Sequence, residues 1–143
     1  MHNVPLFRER PLALRIITGG VVPALFGAAA GVVLGVSAGG YWAMQLVALA
    51  GGIFAGFEHA DGWDGADRGL VGGAIFGTSL LVAHAIAGTD AKVTLPSFEP
   101  ILVIFTAIIG MLAGALGGRL RRATMDRGGE RGADAGAAGE PSA

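Results

Sequence analysis

Six charged or titratable side chains fall within eleven residues: Glu58, His59, Asp61, Asp64, Asp67 and Arg68, in the stretch AGFEHADGWDGADRGLVGG. Carboxylate oxygens on a glycine-rich loop suit a hard divalent cation, and His59 offers a nitrogen ligand. The spacing argues against both common metal motifs. An EF-hand needs acids at alternate positions and a Glu at the twelfth; counting from Asp61, the twelfth residue is Gly72. Glu58 and His59 are adjacent, unlike the i, i+4 histidines of a zinc-binding helix. We therefore expect no metal centre and a solvated turn. In that turn Gly62 and Gly65 would hold a loop, Asp67 and its neighbours would cap the next helix, and Arg68 would stay among lipid headgroups. Glu58 and His59 stand apart, because they end an apolar run. His59 continues the helix face of Gln45 and Gly52, so the pair is expected to reach into the bundle and meet Arg68.

A second group is Gln45, His84 and Thr106, three of the few polar residues inside otherwise apolar runs. Gln45 lies seven before Gly52, His84 seven after Gly77 and Thr106 four before Gly110. Steps of four and seven return to the same helix face. All three are expected to face neighbouring helices in one layer, in the outer third of the membrane. An intramembrane titratable side chain such as His84 is a functional suspect, and imidazole changes charge near neutral pH. Neutral His, Gln and Thr also act as interhelical glue, worth about 0.6–2 kcal/mol each. No carboxylate falls in this layer, which disfavours a carboxylate-driven pump.

The elements that must position these groups are apolar runs at residues 16–36, 41–57, 69–87 and 101–118. Runs of seventeen to twenty-one residues just cover a hydrocarbon core of ~30 Å. Hydrophobic residues make up 52% of the 143 and charged residues 15%, against about 25% charge in a soluble domain. Mean hydropathy is +0.61. Glycine, at 26 residues, recurs at helical steps: Gly27, Gly31 and Gly35; Gly52 and Gly56; Gly69, Gly73 and Gly77; Gly110 and Gly114. Such stripes let helix backbones approach closely in lipid. Pro23 is expected to bend the first helix and Pro100 suits the first turn of the fourth.

The fold expected is an all-α integral membrane protein of four glycine-rich transmembrane helices. A weak internal similarity, VVPALFG (21–27) with VGGAIFG (71–77) and GIFAGF (52–57) with GMLAGA (110–115), suggests two repeated helical hairpins. Residues 1–15 form an N-terminal segment and residues 119–143 a tail, basic at first and then disordered. Nine arginines fall on one side of the spans and Lys92 alone on the other, which places both termini in the cytoplasm of a bacterial-type inner membrane. The first apolar run is too long for a usual signal peptide, so its helix is expected to be retained.

The absence of cysteine removes disulfides, thiolate metal sites and cysteine nucleophiles, and a net charge of −1 gives no general attraction to nucleic acid. No phosphate-binding, serine-triad or zinc-protease motif occurs. The expectation is a protein that is not an enzyme and has no cofactor. Its partners would be the bilayer and either its own copies or a larger membrane protein. It would act as an accessory or scaffold subunit through its glycine stripes. The alternative is an oligomeric channel or small-solute transporter using Gln45, His84 and Thr106.

Overall fold

The computed structural model describes residues 11–59 and 61–137, with side chains as far as Arg127 in the last helix. Four helices are long and apolar enough to cross a membrane: α1 (Leu12–Leu34), α2 (Ala38–Phe57), α3 (Gly62–Ala87) and α4 (Ile101–Ala137), the last apolar over its first part. No strand occurs among the described residues. The chain has the form of a small multi-pass membrane protein.

Local chemistry sets the helix limits. Ser37 caps α2, its side chain accepting from the Gly40 amide at 3.1 Å. Asp61 caps α3, and Gly88 ends it with φ 60°, a left-handed turn that suits glycine. Residues 88–100 form an irregular connection. Its Lys92 amide donates to the Leu34 carbonyl at 2.9 Å, satisfying one of the orphan acceptors at the end of α1.

Two boundaries differ most from expectation. α3 begins at Gly62, not Gly69, so Gly62 and Gly65 are helical and not loop formers. Both pack onto α4: a Cβ at Gly65 would overlap the Gly114 carbonyl, and one at Gly62 would meet the Arg119 side chain at 3.1 Å. Close packing repays the conformational cost of glycine in a helix. α4 continues to Ala137 through residues expected to be disordered. Propagating an anchored helix adds one hydrogen bond per residue without a new nucleation cost. Residues 138–143 and 1–10 lie outside the described residues, and with them Arg8 and Arg10.

α3 is the central helix. Its Gly69 and Gly73 lie against Gly110 and Thr106 of the antiparallel α4, and its Phe76 and Leu80 against Gly27 and Gly31 of the parallel α1. α2 runs parallel to α4, with Gly52 facing Ala113 and Gly56 against Gly114 and Gly117. At each of these glycines an added Cβ would press on a neighbouring helix, and Gly35 is closed off by Thr89 of the long connection. A small core of Ala30, Leu34, Tyr41, Phe76 and Leu80 fills the end near residues 34–41. We call this the loop end and the opposite one, carrying Arg15, Arg68, Arg119, Arg121 and Arg122, the arginine end. The two hairpins are unequal. α3 and α4 lie backbone to backbone, whereas α1 and α2 meet beside their shared turn, where Val33 faces Gly40.

Candidate functional site

At the arginine end, α2 stops at Phe57 and leaves carbonyls without helical partners. Arg121, only 6% exposed, crosses from α4 and donates from Nη1 to the Phe57 carbonyl at 3.1 Å. His59, 7% exposed, turns back on its own helix. Its backbone amide donates to Gly56 and its Nδ1 to the Ala55 carbonyl, both at 3.0 Å. The chain then reverses, and one Asp61 carboxylate oxygen accepts from the amides of Trp63 at 2.9 Å and Asp64 at 3.0 Å. Asp61, not Asp67, is therefore the cap of α3, because the helix begins seven residues before the expected start. Asp64 sits in the first turn, where negative charge is favourable, and Asp67 is exposed. Among the described residues no three His, Asp or Glu side chains come close enough to share a metal ion. The acidic stretch builds a helix–turn–helix junction.

Arg68 also meets a partner on α1. It points across the interface to α1 and hydrogen-bonds the Thr18 carbonyl, with Glu58 within electrostatic reach of its guanidinium. The sequence of α1 explains why an acceptor waits there. Residues Ile17–Val21 form a π-helical turn, and the Val22 amide donates to the Ile17 carbonyl, five residues back. The next bond in that series would run from residue 23 to Thr18, but residue 23 is proline and has no N–H. The Thr18 carbonyl is thereby left over inside an apolar span, where an unsatisfied acceptor is costly. Arg68 supplies the missing donor.

The expected polar layer divides. The parallel register that sets Gly52 on Ala113 and Gly56 on Gly117 brings Gln45 level with Thr106, and both border one cavity. Their hydrogen bonds are local, however: Gln45 with Tyr41, and the Thr106 hydroxyl with the Val103 carbonyl at 3.0 Å. Thr106 lies against Gly73 and Gly77. His84 is seven residues further along α3, about 10 Å at ~1.5 Å per residue. It stands in the last turn at the loop end, where its carbonyl accepts from Gly88 and its buried Nδ1 has no hydrogen-bond partner in the structure. The structure brings Gln45 and Thr106 together and leaves His84 apart.

The cavity that Gln45 and Thr106 border has a volume of about 310 Å³. It occupies the space where α1 and α2 diverge, backed by Gly69, Gly73 and Gly110, with Arg68 and Thr18 toward the arginine end.

No protein-family model, no curated protein and no solved structure matches the chain.

The sequence reading missed Arg121 and the link between Arg68, Thr18 and Pro23. Arg121 had a signal: it lies seven residues after Gly114 and so on the glycine face, although beyond the expected span. Nothing in the sequence marked Arg68 as the donor for α1. The glycines expected to offer faces to other proteins pack within the chain itself.

Proposed function

We propose that this protein is an accessory or scaffold subunit of a membrane assembly, oriented with its arginine end in the cytoplasm. The observation that supports this most is how the interior is spent. α3 and α4 meet glycine on glycine, at Gly69 with Gly110 and at Gly65 with Gly114. No gap remains between them for a conducting path. The polar side chains near the bundle centre are engaged locally, and His84 is separated from the other two. Recognition then falls to the outward apolar faces, such as Leu25, Phe54 and Leu112, all exposed in the single chain. The basic end suits the cytoplasmic side because lysine and arginine resist translocation. The alternative, transport by an oligomer, draws on the cavity shared by Gln45 and Thr106.

Reconstituted vesicles separate the two readings. The accessory reading expects ion and small-solute leakage equal to that of empty vesicles. It also expects a photo-crosslinker at Phe54 or Leu112 to give one discrete adduct in native membranes. A saturable flux, or diffuse labelling from every outward position, would defeat it.

A further inference from the structure

The cavity between α1 and α2 has the features of a slot for one lipid chain. Its walls are almost wholly apolar, with Phe26, Phe76 and Ile109 along its sides. Three of its bordering residues, Val22, Val47 and Leu49, are exposed, so it opens sideways at the depth of the spans and not into water. Along α2 it runs from Gln45 to Ala55, about 15 Å at ~1.5 Å per residue. That is half of a ~30 Å hydrocarbon core, the depth of one leaflet. Apart from Arg68, none of the described residues bordering it is ionisable. Arg68 stands toward the arginine end, six residues into α3, at the depth where a long basic side chain keeps its head near the lipid headgroups.

We propose that the cavity binds one acyl chain of an anionic phospholipid, with its phosphate held by Arg68. A guanidinium presents five N–H donors in a planar fork. Nη2 is directed at the Thr18 carbonyl, and a phosphate oxygen would add to or exchange with the other contacts of the fork. Glu58 lies within electrostatic reach of Arg68, so the phosphate competes with a carboxylate for the guanidinium. The acyl chain supplies most of the contact and the headgroup charge supplies the selection. The site does not depend on whether the protein serves as an accessory subunit or as a transporter.

Native mass spectrometry of the full chain tests this, with phosphatidylglycerol and phosphatidylcholine of identical acyl chains as probes. Wild type should retain one phosphatidylglycerol per chain, with phosphatidylcholine held about tenfold more weakly. Gly51→Leu should abolish retention of both. Gly51 borders the cavity and has open space where a Cβ would stand, so this variant should fold and narrow the slot. Ala48→Phe fills the slot from a second position and should act alike. Arg68→Gln keeps a donor for Thr18 and should retain lipid while losing the preference for phosphatidylglycerol. Retention of several lipids, unchanged in both filled variants, would mean only a surface annulus and would overturn the proposal. So would equal retention of the two headgroups by wild type.

Discussion

Arg68 of α3 hydrogen-bonds the carbonyl of Thr18 in α1, fifty residues away in sequence, at the one place where Pro23 withholds the donor that the π-helical turn requires. The contact ties a backbone defect in one helix to a charged side chain in another. Arg68→Leu should lower stability in mild detergent by about 1–3 kcal/mol, the cost of a buried acceptor left unsatisfied. Pro23→Ala returns an N–H to α1 and should recover part of that loss in the double variant. Chemical denaturation of the four proteins of the cycle gives the coupling. Strictly additive effects would show that the guanidinium does not serve this carbonyl.

Arg121 closes α2 from outside. Arg121→Ala should cost about 1.5–3 kcal/mol, the range for a hydrogen bond involving a charged group, and should fray α2 near Phe57. Exposed Arg122→Ala should stay within about 0.5 kcal/mol of wild type. Amide exchange at residues 55–59 reports the fraying, and equal protection in both variants would contradict the cap.

The glycines divide into packed and open positions. At Gly69 a Cβ would overlap the Gly110 carbonyl, whereas at Gly39 it would meet nothing within 4 Å. Gly69→Ala should destabilise by about 1–3 kcal/mol through overpacking. Gly39→Ala should be neutral or gain up to about 1 kcal/mol in helix propensity. Thermal unfolding compares them, and a tolerated Gly69→Ala would disprove the α3–α4 contact.

The proposed orientation rests on the bias of arginines to one end. Reporter fusions in the 60–66 region and after Arg127 should read as cytoplasmic, and a fusion at Lys92 as external. An external signal from the 60–66 region would invert the membrane placement.

His84 should matter little. With no hydrogen bond at Nδ1 to lose, His84→Leu should stay within about 0.5 kcal/mol of wild type in unfolding experiments, and His84→Gln should behave alike. Loss of folded protein in either variant would reveal an interhelical bond that the structure does not contain.

The sequence by itself determined the four spans and the small residues along them. Apolar length and the steps of four and seven are local properties of one helix, and they survive without knowledge of any neighbour. It also indicated that the stretch from Glu58 to Arg68 joins two spans. Tertiary structure alone decided what each polar group meets. Gln45 and Thr106 share a level because α2 and α4 run parallel in a fixed register, and His84 misses that level because α3 sets Gly73 and Gly77 against Thr106, seven residues short of it. Gly62 and Gly65 look like loop residues in isolation and are helix contacts because Gly114 and Arg119 lie opposite. Arg68 finds Thr18 because α1 and α3 run parallel in the register that sets Gly27 on Phe76 and Gly31 on Leu80. Helical periodicity fixes the face on which a residue lies; its depth and its partner depend on how whole helices slide against one another, and those contacts join residues far apart in the chain.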